Sequence, residues 1–151
     1  MIVRFPSSCL SSTESTSHQG IVLVIDDDTG LLDNLRRTLI REGWVVLTAS
    51  DPAVGLHLYG EYWQGISLVL LDYFLPDLRG DQVWECLRQI NPQARVLWMS
   101  ASDEYIPSRM LNSGLCGFMM KPITPKELFR GIREVLKFDG QPDPAPGGQS
   151  K

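Results

Sequence analysis

Five short apolar runs alternate with amphipathic stretches between Ile21 and Phe138, and this alternation constrains the fold more than any other feature of the chain. The run SLVLLD at 67–72 illustrates it, because its four central residues are all apolar. Such runs are typical of central parallel strands that helices cover on both faces. Repeated strand–helix units build a single parallel sheet. The chain is therefore predicted to be an α/β protein with a doubly wound, five-stranded parallel sheet.

The strands and the first helix follow directly from these runs. A helix is predicted over 29–42, because four leucines recur there at helical spacing, and Gly43 ends it. Its four leucines are Leu31, Leu32, Leu35 and Leu39. The predicted strands are 21–25, 44–50, 67–72, 95–100 and 115–120.

The second helix has a clear start in the sequence. Asp51 can cap it and Pro52 can occupy its first turn, where a missing N–H costs nothing. Val54, Leu58 and Tyr62 recur at helical spacing, and we expect them to face one way.

The remaining helices carry their own signals. The fourth is predicted within 103–113, where Pro107 should distort it, so that its ordered part starts near Ile106 and the segment before is mobile. Thr124 opens the fifth with a capping box, followed by proline at the first helical position. Expected core residues are Val83, Leu87 and Ile90 in the third helix and Leu128, Ile132 and Val135 in the fifth.

Composition limits the class of protein. The chain has 151 residues, 43% hydrophobic and 21% charged, which suits one globular domain. A net charge of −4 argues against binding to nucleic acid or to an anionic membrane. Three cysteines without metal-ligand spacing suit a reducing compartment, so the protein is predicted to be cytoplasmic. Residues 1–19 are expected to be a disordered extension, and 139–151 a Pro/Gly-rich tail or linker.

Polar side chains follow four of the predicted strands at the point where each ends. Asp26, Asp27 and Asp28 follow the first strand, Asp72 ends the third, Ser100 ends the fourth and Lys121 follows the fifth. Taken singly, each has an ordinary explanation as a solvated acid, a helix cap or a surface cation. Carboxyl ends of parallel strands share one edge of the sheet, however, and ligands bind there.

Together these groups have a definite chemistry. Two carboxylates about 5 Å apart at an effective dielectric near 20 repel by roughly 3 kcal/mol, and a bound divalent cation reverses the sign. Carboxylates, a hydroxyl and an ammonium in one crevice are suited to Mg²⁺-assisted phosphoryl transfer to an aspartate. The sequence thus predicts a site for phosphoryl transfer to an aspartate at this edge of the sheet, where Asp72, Ser100 and Lys121 all end or follow strands.

From Gly20 to Phe138 the chain resembles the receiver domains of two-component response regulators. The resemblance rests on the acidic pair in VIDD, the acceptor motif LVLLDYFLP followed by Gly80, the Ser-Ala pair in WMSAS and the Lys-Pro pair in MKPIT. It implies a flavodoxin-like fold with strand order 2-1-3-4-5. It also implies that Asp72 accepts a phosphoryl group from the phosphohistidine of a sensor histidine kinase or phosphotransfer protein.

The resemblance further implies a role for each site residue. Mg²⁺, or Mn²⁺, is expected at Asp27 and Asp72 directly, at Asp26 through water and at the backbone carbonyl of Phe74. Ser100 is expected to bind a phosphoryl oxygen and Lys121 to pair with the phosphate. Asp28 is the surplus acid, which we expect to cap a helix.

Phe118 occupies the aromatic switch position of the family, with plain core burial as the alternative. Like Ser100, it is expected to change position on activation and to carry the change to the α4-β5-α5 face. Ser67 and Arg79 depart from commoner forms of the pattern but lie outside the chemistry. A homodimer is possible, and the output domain is not predicted.

Two other interpretations compete with this one. A haloacid-dehalogenase-like phosphatase also uses a strand-end aspartate with Mg²⁺, but its motif has a hydroxyl residue where this chain has Gly30, and an acidic pair after the lysine is missing. A pseudo-receiver would keep the fold and signal without phosphate. All the acceptor residues are present here, which favours a working receiver over either alternative.

Overall fold

The structure is a computed structural model that describes residues 19–101, 108–111 and 114–137. Its centre is a single sheet of five parallel strands in the order β2-β1-β3-β4-β5, as expected for a flavodoxin-like fold. The strands are β1 Ile21–Ile25, β2 Val45–Ala49, β3 Ile66–Asp72, β4 Val96–Ser100 and β5 Cys116–Met120. The predicted strands are therefore confirmed, with ends that differ by at most one residue.

Helices follow the strands along the chain and lie on both faces of the sheet. They are α1 Thr29–Arg41, α2 Pro52–Tyr62, α3 Gly80–Ile90, α4 Ser108–Leu111 and α5 Pro125–Leu136. Three begin at the predicted caps: Asp28, Asp51 and Thr124 accept hydrogen bonds from the N–H groups of Leu31, Ala53 and Glu127. Each cap satisfies an N–H that the first turn of the helix leaves without a partner.

The sheet separates two hydrophobic layers. Because strand side chains alternate, Leu23 and Ile25 of β1 point into one layer, while Val22 and Val24 point into the other. The first layer is closed by α2 and α3, and the second by α1 and α5, whose Leu128, Ile132 and Val135 are buried as predicted. Each large apolar side chain buried in this way contributes about 1.5–3 kcal/mol.

The packing of α2 corrects one prediction. Leu58 and Tyr62 pack against the core, but Val54 is 48% exposed. The contacting face runs through Gly55, where an added Cβ would lie 2.5 Å from Cδ1 of Ile25. The helix comes so close to β1 that only glycine fits at the contact. A pattern of apolar residues cannot reveal a contact face centred on glycine, so the wrong side of the first turn was expected to be buried.

Two further expectations concern the fourth helix and the start of the domain. The predicted effect of Pro107 lies outside the described residues, which include only Ser108–Leu111 of α4. At the other end, Gln19 donates from its N–H to the carbonyl of Gly43 at 3.1 Å, one residue before the expected start of the domain. No helix in the described ranges is long and apolar enough to cross a bilayer.

Candidate functional site

Asp26 and Lys121 form an ion pair at the carboxyl end of the sheet. Lys121 Nζ donates to Asp26 Oδ2 at 2.7 Å, and Asp26 is 0% exposed. The other oxygen, Asp26 Oδ1, accepts the N–H of Asp28 at 2.9 Å. A buried carboxylate is costly unless it is paired and hydrogen-bonded, and here both of its oxygens are satisfied.

The ammonium of Lys121 responds to this environment. Burial acts to lower its pKa, while the hydrogen bond to Asp26 and the charges of Asp26 and Asp72 act to raise it. The net result is a pKa above the ordinary value for lysine, so the side chain is positively charged throughout the neutral range.

Asp72 is the last residue of β3 and is 5% exposed. Its Oδ1 accepts the N–H of Phe74 at 3.2 Å, and its Oδ2 lies 3.6 Å from Lys121 Nζ. Burial, helped by the charge of Asp26, raises the pKa of Asp72 to about 6, against the opposing effects of Lys121 and the Phe74 N–H. The carboxylate is therefore mostly ionised at neutral pH and takes up a proton just below it.

Asp26, Asp27 and Asp72 form an acidic cluster. One carboxylate oxygen from each lies within 4.8 Å of the others, and Asp27 alone is exposed to solvent. Three negative charges and the one positive charge of Lys121 leave a formal charge of −2. Carboxylate oxygens with this charge suit a hard divalent cation such as Mg²⁺ or Mn²⁺, so the residues present fit the predicted metal.

Ser100 ends β4 beside this cluster and is 0% exposed. The N–H of Lys121 donates to the carbonyl of Ser100 at 2.7 Å, which holds the ends of β4 and β5 together. Lys121 precedes Pro122 through a cis peptide bond. Parallel pairing of the neighbouring strands thus places the hydroxyl and ammonium on the same edge as the carboxylates.

Asp28 does something different from its two neighbours. Its Oδ1 accepts the N–H of Leu31 at 3.1 Å as the N-cap of α1, and it is absent from the acidic cluster found among the described residues. The prediction that this third acid caps a helix is confirmed.

The turn between β3 and α3, residues 73–79, begins directly after Asp72. Gly80 donates its N–H to the carbonyl of Tyr73 at 3.0 Å, and the N–H of Tyr73 donates to the carbonyl of Met99 in β4 at 2.9 Å. Phe74 is 45% exposed, and its ring lies edge-on to Tyr73 with centroids 5.0 Å apart. These hydrogen bonds hold Tyr73, the residue before Phe74, to the start of α3 and to the end of β4.

The structure brings most predicted site residues together and sets one apart. Asp26, Asp27, Asp72 and Lys121 share the crevice, whereas Phe118 lies on β5 with 38% of its surface exposed. Exposure of this kind argues against the alternative of plain core burial for Phe118.

Sequence reasoning missed the buried aromatic contact beneath the turn. Tyr73 and Trp98 pack with ring centroids 5.5 Å apart at an interplanar angle of 70°. The available signal was the spacing of Trp98 two residues before Ser100, which puts both side chains on one face of β4.

Comparison with known proteins gives the same family from sequence and from structure. Residues 22–133 match the family model described as the response regulator receiver domain. The alkaline phosphatase synthesis transcriptional regulatory protein PhoP of Bacillus subtilis is 32% identical over 117 residues, covering 77% of this chain and 48% of that protein. The chain therefore spans about half the length of this relative.

Two solved receiver domains have the same fold. A response regulator receiver domain protein from Clostridium thermocellum superposes with a TM-score of 0.72 at 25% identity, covering 80% of this chain and 97% of that one. A CheY-like receiver domain protein from Methanospirillum hungatei JF-1 gives 0.70 at 29% identity, with 78% and 94% covered. Since the family match extends over well more than half of the chain, this protein belongs to the receiver domain family of two-component response regulators.

Proposed function

We propose that this receiver domain accepts a phosphoryl group on Asp72 from the phosphohistidine of a sensor histidine kinase or phosphotransfer protein, in a Mg²⁺-dependent reaction. The arrangement around Asp72 carries the proposal: a buried strand-end carboxylate has two acidic neighbours within 4.8 Å and an ammonium at 3.6 Å. Receiver domains are signalling domains that generally bind Mg²⁺ at an acidic pocket, and the acidic cluster here fits that pattern.

Asp72 acts as the nucleophile. With a pKa of about 6, its carboxylate is mostly ionised at neutral pH, and burial removes much of the water that would otherwise solvate it. One carboxylate oxygen attacks phosphorus, the P–N bond to the donor imidazole breaks, and the bonding electrons stay with the imidazole nitrogen, which takes up a proton. The product is an aspartyl phosphate, whose slow hydrolysis returns Asp72 to its carboxylate.

The acidic cluster would hold the metal. Asp27 and Asp72, together with the backbone carbonyl of Phe74, would be the direct ligands. Asp26 would act through water, because its Oδ2 is ion-paired with Lys121 at 2.7 Å, whereas Asp72 Oδ2 lies 3.6 Å from that ammonium. The bound cation would neutralise charge on the phosphoryl oxygens, which three carboxylates alone would repel.

Ser100 and Lys121 bind the phosphoryl group once it is attached. The ammonium now paired with Asp26 at 2.7 Å and standing 3.6 Å from Asp72 needs only a small movement to reach a phosphoryl oxygen. The hydroxyl of Ser100 donates a second hydrogen bond. Charge-assisted contacts of this kind are the strong ones, so these two side chains change most when phosphate arrives.

The same change supplies the switch. Movement of Ser100 toward the phosphate leaves space behind it, into which Phe118 can rotate from its exposed position on β5. The response then appears on the face formed by α4, β5 and α5. A shift from 1:99 to 99:1 requires roughly 5.5 kcal/mol of preferential stabilisation, which several charge-assisted contacts and a metal ion can supply.

We take the domain as residues 20–138 and propose that it works in the cytoplasm, with an output domain or downstream protein as its effector. Relatives that are regulatory proteins about twice as long support an output partner. We also propose that the protein dimerises through the face formed by α4, β5 and α5. Measurement of its mass in solution, with and without phosphorylation, tests this.

The decisive experiment is treatment with a small acyl phosphate donor and Mg²⁺, followed by intact-mass measurement. A receiver gains one phosphoryl group per chain, and Asp72→Asn gains none. Continuous turnover of the donor without a stable adduct would instead indicate a phosphatase, and failure of the wild type to react at all would indicate a pseudo-receiver. Glu61→Gln, the same carboxylate-to-amide change at an exposed position on α2, is the matched control and should label normally.

A further inference from the structure

Trp98 lies in β4, between β3, which ends at Asp72, and β5, which Lys121 follows. It is 0% exposed in the middle of β4. In the sheet register it stands beside Leu71 of β3 on one side and Phe118 of β5 on the other. Its indole lies in the hydrophobic layer closed by α2 and α3. The side chain is thus placed one residue from the strand position beside Asp72.

The indole supports both ends of the turn at 73–79. At the first end, the Tyr73 ring packs edge-on against it with centroids 5.5 Å apart. At the second end, Gly80 approaches so closely that an added Cβ would lie 2.8 Å from Cζ3 of Trp98. The start of α3 and the residue after Asp72 therefore rest on the same rigid ring.

This turn carries one of the expected metal ligands, the Phe74 carbonyl, and contacts another, Asp72. Tyr73 and Gly80 are joined by a hydrogen bond of 3.0 Å, and the N–H of Phe74 is bonded to Asp72 Oδ1 at 3.2 Å. A displacement of the turn would therefore move the Phe74 carbonyl and release one oxygen of Asp72 together. Removing support beneath the turn acts on metal binding without altering any ligand.

The indole carries a cost that a plain hydrocarbon side chain would avoid. Trp98 Nε1 is buried and has no hydrogen-bond partner within the described parts of the chain. A buried donor without an acceptor destabilises the folded state, because its hydrogen bond to water is lost and not replaced. A smaller aromatic ring would remove that cost but would reach less far toward Gly80. The size and shape of the indole, which let it reach Gly80, therefore outweigh this cost.

We propose that Trp98 is a positioning residue for metal binding and phosphoryl acceptance: its ring holds the turn at 73–79 so that the Phe74 carbonyl and Asp72 face the cation together. The proposal rests on the function proposed above. It assigns the preorganisation of the metal site to a side chain that contacts neither the metal nor the phosphoryl group.

The test compares Trp98→Phe with Trp44→Phe. Trp44 is also buried but lies in the other hydrophobic layer, which makes it a matched substitution. Mg²⁺ affinity is measured by calorimetry and by the amide chemical shifts of Asp27 and Asp72, and unfolding temperature is measured in parallel without Mg²⁺. Trp98→Phe should bind Mg²⁺ about tenfold more weakly, as is typical when support for a ligand is lost. Trp44→Phe should bind it as the wild type does.

A second measurement distinguishes a role in positioning the turn from a general loss of stability. In labelling with an acyl phosphate, Trp98→Phe should need about tenfold more Mg²⁺ for half-maximal rate while keeping most of the rate at saturating Mg²⁺. A purely structural role would lower the unfolding temperature and leave this Mg²⁺ requirement unchanged. An unchanged Mg²⁺ affinity in folded Trp98→Phe overturns the proposal.

Should Trp98→Phe fail to fold, Tyr73→Leu tests the same contact from the side of the turn. Weaker Mg²⁺ binding in that variant supports the proposal, and wild-type binding refutes it. Absence of Mg²⁺ binding in the wild type would instead refute the metal site itself, so failure of the underlying function is distinguishable from failure of the role of Trp98.

Discussion

The two ends of the sheet bury polar groups in very different ways. At the carboxyl end, Asp26 and Asp72 are charged groups with little exposure, held by one ammonium from Lys121. At the amino end, a cavity of about 450 Å³ is lined by groups such as Tyr59 and Asn91, which bond to each other at 3.1 Å. The carboxyl end concentrates negative charge, whereas at the amino end the neutral side chains of Tyr59 and Asn91 satisfy each other.

The difference shows which end is built for stability. A neutral phenol–amide pair contributes modestly and is complete as it stands. Three carboxylates with one cation are not complete, because a formal charge of −2 remains in a partly desolvated crevice. Groups that cost folding energy without being fully satisfied are typical of functional sites, so removing the excess negative charge at the carboxyl end should raise stability at the expense of activity.

The largest expected loss of stability comes from Lys121→Met. It leaves Asp26, which is 0% exposed, without its cationic partner, and breaking such a pair costs about 3–5 kcal/mol. Chemical denaturation of the metal-free protein measures the change. Lys126→Met, at an exposed position on α5, is the control and should change stability very little. The double variant Asp26→Asn/Lys121→Met should recover part of the loss, and the explanation fails if it recovers none.

Asp72→Asn should change the free energy of unfolding in the opposite direction and stabilise the metal-free protein near neutral pH. The folded-state pKa of Asp72 is about 6, raised from 3.8, so the folded state holds this proton more tightly than the unfolded state does. Stability is therefore lost as pH rises from about 4 through about 6 and stays lower above that range. Allowing for solvent screening, the gain in Asp72→Asn at pH 7.5 should be on the order of 1 kcal/mol.

Denaturation at several pH values without Mg²⁺ checks this second prediction. The difference between Asp72→Asn and wild type should vanish near pH 4, where both side chains are neutral in the folded state. Saturating Mg²⁺ should reverse the order of stability at pH 7.5, because only the wild type binds the cation fully. A difference that is the same at pH 4 and pH 7.5 would show that the charge of Asp72 is not its cause.

Much of the carboxyl end could be predicted because its residues follow strands directly. The alternation of apolar runs fixes which residues end each strand, and parallel pairing brings Asp26, Asp72, Ser100 and Lys121 to one edge. The ion pair between Asp26 and Lys121 was harder to foresee, since 95 residues separate them and the lysine was expected to await the phosphate. Side-chain partners depend on local reach, which strand order alone does not determine.

Contacts made by glycine and by buried aromatic rings escaped prediction for a different reason. Gly55 and Gly80 matter through the side chain they lack, which lets Ile25 and Trp98 approach closely. The pattern of hydrophobic residues in a sequence does not show where a glycine lets another side chain approach this closely. Val54 is consequently predicted on the wrong face of α2, and the close approach of Trp98 to Gly80 is not predicted at all.

At the amino end, Tyr59→Phe should cost about 1 kcal/mol and leave phosphorylation unchanged. Tyr59 is 1% exposed, and its hydroxyl oxygen accepts from Asn91 Nδ2. Removing the hydroxyl leaves that amide donor without this acceptor while keeping the shape of the ring, which is the usual cost of one buried hydrogen bond. Denaturation and acyl phosphate labelling measure the two effects. Slower labelling in Tyr59→Phe would show that the two ends of the sheet are coupled. The amino end would then contribute to phosphorylation as well as to stability.

The smallest expected effect tests which polar groups at the carboxyl end belong to the metal site and which only stabilise the fold. Asp28 comes directly after Asp26 and Asp27 of the acidic cluster but caps α1 through the Leu31 N–H at 3.1 Å. Asp28→Ala should lose about 0.5–1 kcal/mol of stability, whereas Asp28→Asn keeps an oxygen acceptor and should lose little. Because both variants remove the charge, a role for the Asp28 charge in metal binding would weaken Mg²⁺ affinity in both of them. Calorimetry should find both affinities close to wild type, so that the third acid belongs with the stabilising groups despite its place in the sequence.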